Sequence, residues 1–161
     1  MMPYAYALAL PAVELDALWT AGFRGIIVDV DNTLIAFDRD EIESEVRAWF
    51  HRARERGFRL VCLSNNFPPR VGQVSTSLTC PGLPNALKPL PFGFLAAVRL
   101  LGVPRRQVIV IGDQFVTDIL GAACVGLPGI LVNPIAEKDF PLTRVFRWIE
   151  RRVIDAHRPR A

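Results

Sequence analysis

Four short runs of β-branched and apolar residues punctuate the chain: "RGIIVDV" (24–30), "FRLVCLS" (58–64), "QVIVIGD" (107–113) and "GILV" (129–132). Runs of this length and makeup suit strands buried on both faces. "NALK" (85–88) reads as a brief further strand. Helical patterns fill the intervals. Across 40–57, Ile42, Val46, Trp49, Phe50 and Ala53 recur at helical spacing, Asp40 with Glu43 has the form of a capping box, and Gly57 is a natural stop. "NNFPPRVGQVSTSLT" predicts a turn and a short helix opened by prolines, "PLPFGFLAAVRLLG" a helix ended by Gly102, "FVTDILGAACVG" another, and "PLTRVFRWIERRVIDA" (141–156) a closing amphipathic helix. Strands alternating with helices predict a doubly wound parallel sheet in three α/β/α layers. We expect a single domain over residues 1–161.

In such sheets ligands bind beyond the carboxyl ends of the strands. Asp29, Asp31, Ser64, Lys88 and Asp113 all fall at or just past those ends. The first pair poses a physical problem. Residues two apart on a strand point the same way, so "DVD" presents two carboxylates to one site. Unless a cation sits there, one of them should be protonated. A divalent metal removes the conflict, and carboxylate oxygens suit Mg²⁺, which commonly takes a further ligand from a substrate phosphate. Asp113 and Asp118, in "GDQFVTD", extend the acidic cluster.

Each remaining residue has a plain reading beside the chemical one. Ser64 and Asn65 form either a turn or a phosphoryl-binding group. Lys88 is either a surface charge or a compact point charge on phosphate. It is one of only two lysines against seventeen arginines. Asp118 either favours a helix N-terminus or joins the cluster.

The ordered set "DVDNT", "LSNN", "LKP" and "GDQFVTD" resembles the haloacid dehalogenase superfamily of phosphatases, over residues ~25–135. A response-regulator receiver shares the layout but not this order. The resemblance implies Asp29 as nucleophile and Asp31 as general acid and then base. It implies Mg²⁺ on Asp29, the backbone carbonyl of Asp31, and Asp113, with Asp118 nearby. Thr33 would brace the loop, and Ser64, Asn65 and Lys88 would position the phosphoryl group. The intervals from Asp31 to Ser64 and from Ser64 to Lys88 hold a strand, a helix and their turns, with no length for a cap domain. Capless members act on bulky or exposed phosphates. "ALALPAVELDALW" before "DVDNTL" adds a resemblance to the YqeG-like subgroup, itself similar to mitochondrial phosphatidylglycerophosphate phosphatases. That implies a lipid phosphomonoester as substrate. A soluble nucleotide or sugar phosphate, or a phosphate-binding module without turnover, is the alternative.

Composition bears on partners and compartment. Residues 143–161 hold six arginines against Glu150 and Asp155. Such a patch can meet phosphates or anionic lipid, and Phe146, Ile149 and Val153 share a face beside it. The same face also suits docking on the sheet. We expect peripheral contact with an anionic membrane at most, and no nucleic-acid partner. No stretch reaches the ~18–20 apolar residues of a spanning helix. The apolar start lacks a basic n-region and reads as a packed segment. Cys62, Cys80 and Cys124 form no CxxC pair, which fits free thiols in the cytoplasm. Cys80, in the proline-rich loop 67–84, is expected to be the most exposed of the three. His51 and His157 lack partners at ligand spacing.

Overall fold

A computed structural model describes residues 2–36 and 38–135. The elements run β1 (Ala5–Ala7), α1 (Leu15–Thr20), β2 (Gly25–Asp29), α2 (Ser44–Arg56), β3 (Arg59–Leu63), α3 (Pro68–Leu78), β4 (Gly82–Leu83), α4 (Pro91–Leu101), β5 (Val108–Gly112), α5 (Gly121–Cys124) and β6 (Gly129–Val132). A π-helical stretch, Phe115–Leu120, leads into α5. The expected closing helix at 141–156, the arginine-rich residues 143–161 and His157 lie outside the described residues.

All six strands are parallel, in the order β1-β6-β5-β2-β3-β4. β2 lies inside the sheet, between β3 and β5, and every one of its residues is buried. Strand alternation sorts the apolar side chains into two cores. Ile26, Val28, Leu60, Cys62, Ile109 and Ile111 face Val46, Trp49, Phe50 and Ala53 of α2, with Val74 and Leu78 of α3. Ile27, Val61, Leu63, Val108 and Val110 face Phe94, Ala97 and Leu101 of α4, with Ala122 of α5. Two cores on opposite faces make the expected three layers. At roughly 1.5–3 kcal/mol per fully buried large side chain, they supply the main drive to fold. Gly57 and Gly102 end α2 and α4 with φ of 104° and 64°, a left-handed conformation that glycine adopts without a Cβ clash.

The chain winds outward from β2 through β3 to β4, then returns to β5 on the other side of β2. That reversal between β2 and β5 is the topological switch point, where open α/β sheets leave a crevice. Residues 30–43 join β2 to α2, and residues 64–67 join β3 to α3. From these connections Asp31, Asn65, Asn66 and Phe67, with Lys88 before α4, line the crevice.

The structure corrects four local expectations. The fourth strand is Gly82–Leu83, paired with Cys62 and Leu63, and residues 85–88 are a loop. Asn85 and Leu87 have φ of 50° and 55°, which a strand cannot accommodate. The capping box does not form. α2 starts at Ser44 with no side-chain cap from Glu43, because Ile42 is buried and its carbonyl accepts from Arg47 Nε at 3.3 Å, holding residues 40–42 outside the helix. Cys80 is buried and Cys124 exposed, the reverse of the expectation. Cys80 Sγ packs 3.7 Å from Cys62 Sγ in the first core. Finally, the apolar N-terminal segment does more than pack. Its residues 5–7 extend the sheet beside β6 as β1, and Val13 accepts the buried Trp49 Nε1 at 3.1 Å.

Candidate active site

Asp29 closes β2 and Asp113 follows the last residue of β5, so the switch point brings two carboxylates together. Oxygens of Asp29, Asp113 and Asp118 lie within 4.8 Å of one another. Asp118 reaches the cluster from the π-helical stretch after β5. It fits because residue 112 is glycine: a Cβ there would lie 2.3 Å from Asp118 Oδ2 and 2.4 Å from its Cγ. Gln114 N donates to Asp118 Oδ2 at 3.1 Å.

Among the described residues, one cation meets these acids. Lys88 Nζ donates to Asp29 Oδ1 at 2.5 Å and to Asp118 Oδ1 at 2.6 Å. Three carboxylates against one ammonium leave two negative charges in a buried place. The electrostatics show that excess. Burial, and then the charge of Asp118, push Asp29 up to about 7 despite Lys88. Burial, with Asp29 and Asp118, drives Asp113 well above the ordinary carboxylate range. Burial works to lower Lys88, but the charges of Asp118 and Asp29 outweigh it and hold the ammonium above an ordinary lysine. An all-oxygen donor set with two charges to spare fits a hard divalent cation.

Asp31 belongs to a separate network. Its side chain is not among the three clustered acids. Oδ2 accepts from Ser64 Oγ at 3.0 Å, and Oδ1 accepts from Arg70 Nε at 2.9 Å and Asn66 Nδ2 at 3.5 Å. A tight loop returns the chain here: Asn32 N donates to Ile35 O at 2.8 Å, with Asn32 at φ 61°. Asparagine tolerates that region better than most residues. Thr33 Oγ1 belongs to the acidic cluster, 3.2 Å from Asp29 Oδ2 and 3.4 Å from Asp113 Oδ1. So the two aspartates of "DVD" turn to different cations, Lys88 and Arg70, although the charge of Asp31 still adds to the upward push on Asp29.

Asp29, Asp31, Asn65 and Lys88 line a cleft of ≈ 250 Å³ together with Asn66, Phe67, Gln114 and Thr117. Ser64 and Thr33 are buried and reach it through Asp31 and Asp29. Asn65 lines the cleft, and its side-chain amide meets the backbone of Lys88. Arg70 and Asn66 were not singled out in the sequence. The signal for Arg70 was its place three residues into a proline-opened helix, where a basic group opposes the helix dipole.

Residues 20–126 match the haloacid dehalogenase-like hydrolase family. The chain is 39% identical over 133 residues to Probable phosphatase YqeG of Bacillus subtilis (strain 168), covering 83% of this chain and 77% of that protein. It is 28% identical over 149 residues to phosphatidylglycerophosphate phosphatase 1, chloroplastic, of Chlamydomonas reinhardtii, covering 87% of this chain and 55% of that protein. Among solved structures, the cobalt-bound deoxy-D-mannose-octulosonate 8-phosphate phosphatase YrbI of Haemophilus influenzae superposes with a TM-score of 0.56 at 15% identity, over 84% of this chain and 89% of that one; this is a likeness of fold. The match across residues 20–126, with the clustered aspartates at the switch point inside it, makes the chain a member of the haloacid dehalogenase-like hydrolases.

Proposed function

We propose that this hydrolase is a Mg²⁺-dependent phosphomonoesterase that works through an aspartyl-phosphate on Asp29. The observation that carries the reading is the setting of Asp29: buried at the end of a central strand, 2.5 Å from Lys88 Nζ, and inside the Asp113–Asp118 cluster while still lining the cleft. Asp29, Asp113 and the main-chain carbonyl of Asp31 would hold Mg²⁺, with Asp118 beside them. When bound, the ion neutralises the excess charge and polarises the phosphoryl oxygens.

The chain's own residues account for the rest. One Asp29 oxygen attacks phosphorus while the bond to the leaving oxygen breaks, and Asp31 supplies the proton that oxygen needs. Water then attacks the aspartyl-phosphate and gives its proton to Asp31, and inorganic phosphate leaves with the Asp29 carboxylate restored. Lys88 and the Ser64 hydroxyl neutralise and orient the phosphoryl oxygens. Thr33 holds Asp29 and Asp113 in place, Asp118 holds Lys88, and Asn65 fixes the Lys88 backbone.

For the substrate we favour a lipid phosphomonoester such as phosphatidylglycerophosphate. Four large apolar side chains stand exposed on the segments that frame the cleft: Phe67 (73%), Leu87 (62%), Leu90 (48%) and Phe92 (68%). Phe67 lines the cleft itself, and a polar pit with exposed apolar side chains on neighbouring segments suits an amphiphile. The name of the Chlamydomonas relative points the same way. Contact with an anionic membrane surface from the cytoplasm is part of this reading. So is one domain over 1–161, supported by β1 and β6, which lie outside the matched residues and join the same sheet. Among the described residues no helix is long and apolar enough to cross a membrane.

Phosphate release from an aryl phosphate, with and without Mg²⁺, tests the class. Asp29→Asn should abolish turnover and acid-stable labelling of the protein by phosphate. Wild-type activity that survives this substitution would remove the assigned nucleophile. A panel of phosphatidylglycerophosphate vesicles, nucleotides and sugar phosphates tests the substrate. Preference for the soluble compounds favours the nucleotide or sugar-phosphate alternative, and binding of phosphate without release favours the non-catalytic one.

A further inference from the structure

We propose that Arg70 is a positioning residue: it anchors Asp31 so that one oxygen of that carboxylate is free to carry the proton to and from the reacting oxygens. The proposal rests on the reading of Asp31 as the proton carrier, and it adds a residue outside the four sequence motifs.

The guanidinium bridges two acceptors. Arg70 Nε donates to Asp31 Oδ1 at 2.9 Å, and its terminal NH2 donates to the Ala36 carbonyl at 3.0 Å. One guanidinium thus ties the carboxylate to the far end of its own loop. The ion pair is sheltered, with side-chain exposures of 20% for Arg70 and 12% for Asp31. A planar guanidinium held at two of its nitrogens by two different groups has a fixed orientation, and that directs its single bond to Asp31. The helix start makes the reach possible. Pro68 and Pro69 open α3 after the extended Phe67, so Arg70 lies in the first turn, beside the strand ends. That turn carries no acidic residue. The positive end of the helix dipole disfavours a cation there, so the local helix gives no reason for an arginine, whereas the Asp31 carboxylate does.

The two oxygens of Asp31 are held differently. Oδ1 is held by Arg70 and Asn66, while Oδ2 is met by the hydroxyl of Ser64 at 3.0 Å. Ser64 is also assigned to a phosphoryl oxygen. A phosphoryl group that draws the Ser64 hydroxyl to itself leaves Oδ2 facing the leaving oxygen, with Oδ1 still fixed by Arg70. The same anchor holds Asp31 apart from the Asp29, Asp113 and Asp118 cluster. It therefore divides two aspartates only two residues apart into a nucleophile and a proton carrier.

The test compares two leaving groups in a single turnover. Formation of the phosphoenzyme is followed by quenched flow from 4-nitrophenyl phosphate, whose leaving group needs no proton, and from a primary alkyl phosphate, whose leaving group does. With Arg70→Ala, the alkyl reaction should lose roughly 10²-fold more than the aryl reaction, the scale of a general acid's contribution. Arg70→Lys should recover part of that ratio, because an ammonium can meet Asp31 but cannot span to Ala36. Added methylguanidinium should recover part of it in Arg70→Ala. Melting curves and circular dichroism check the fold. Should Arg70→Ala not fold, the ratio is read in Arg70→Lys and Arg70→Gln. Equal losses on the two substrates would make Arg70 a structural clamp only. A raised KM with kcat unchanged would make it a substrate contact. Either result overturns the proposal. A wild-type enzyme that releases the leaving group but forms no phosphoenzyme from either substrate refutes instead the aspartyl-phosphate reading beneath it.

Discussion

The side chain of Asn65 closes a two-bond ring with the backbone of Lys88. Asn65 Oδ1 accepts from Lys88 N at 2.7 Å, and Asn65 Nδ2 donates to Lys88 O at 3.0 Å. Asn65 leaves the end of β3 and Lys88 lies in the loop before α4, so this ring joins two separate crossovers. Parallel backbone bonds, Asn85 N to Asn66 O at 3.0 Å and Ala86 N to Ser64 O at 2.9 Å, reinforce it. The ammonium that must meet Asp29 is therefore placed by a residue that need not touch the substrate.

Replacing Asn65 with alanine should act through Lys88. The loop keeps its other two bonds, so the protein should fold, losing about 1–3 kcal/mol for the two hydrogen bonds. Misplacing a charge by about 1 Å at a reacting centre costs on the order of 10²-fold, and kcat should fall by that scale with little change in KM. Asn65→Asp keeps the acceptor for Lys88 N and loses the donor, and should fall between the two. Steady-state kinetics on an aryl phosphate decide it. A rise in KM alone would return Asn65 to a direct role on the phosphoryl group.

The acidic cluster should couple metal binding to pH. Asp29 moves from 3.8 to about 7 in the metal-free fold, and Asp113 moves in the same direction. Between those values the folded protein holds a proton that the unfolded chain has released. Stability of the metal-free protein should thus be greatest below about pH 4 as far as this group is concerned, and fall as pH rises through about 7. Mg²⁺ needs the deprotonated carboxylates, so its stabilising effect should grow over the same interval. At pH 8, with the ion ~100-fold above its Kd, a rise in Tm of roughly 5–10 °C is expected. At pH 5 the rise should be much smaller. Thermal melts in chelator and in Mg²⁺ across this range give the answer, and equal shifts at both ends would mean the ion binds elsewhere.

Gly112 sets the distance between β5 and Asp118. In Gly112→Ala the new Cβ would collide with Asp118 Oδ2, Cγ and Cβ at 2.3, 2.4 and 2.6 Å. Asp118 is buried and tied to Lys88 and Gln114 N, so it has little room to yield. Overpacking of this kind costs about 1–3 kcal/mol. Displacement of Asp118 should also release Lys88, so Mg²⁺ affinity by calorimetry and kcat should fall together. A variant that melts lower yet binds Mg²⁺ normally would show that Asp118 can move without disturbing the site.

The layout was legible where the pattern was strong. The four apolar runs read at 24–30, 58–64, 107–113 and 129–132 contain β2, β3, β5 and β6. Their buried alternation sorts Ile26 from Ile27 and Leu60 from Val61 onto opposite cores. The approach of Asp29 and Asp113 followed from the rule for parallel sheets, whereas Asp118 reaches the cluster from the π-helical stretch and the Asp31 side chain lies outside it. Long-range partners were not legible. β1 is three residues of ordinary composition, defined only by its pairing with β6. β4 is two residues long and depends on Cys62 and Leu63 for its register. Arg70 lies 39 residues from Asp31, and no local spacing announces that pair. Cys80 read as a loop residue because its partner, Cys62, is on a strand eighteen residues earlier.

The apolar rim separates lipid from soluble substrates. Phe67 stands at the entrance of α3, Leu87 beside Lys88, and Leu90 and Phe92 at the start of α4. Phe67 lines the cleft, and the other three are exposed on the chain that runs from beside Lys88 into α4, so the proposed membrane contact would be made by these side chains. A Phe or Leu side chain taken fully out of water contributes about 1.5–3 kcal/mol. Replacing Leu90 and Phe92 with serine should therefore weaken binding to anionic vesicles by roughly 10²-fold, allowing for partial insertion. Activity on vesicle-borne phosphatidylglycerophosphate should drop in proportion, and activity on a soluble aryl phosphate should drop far less. Vesicle flotation and parallel assays measure both. An equal loss on the two substrates would mean that these side chains support the loop of Lys88, and vesicle binding unchanged by the substitutions would mean that the membrane is met by another surface.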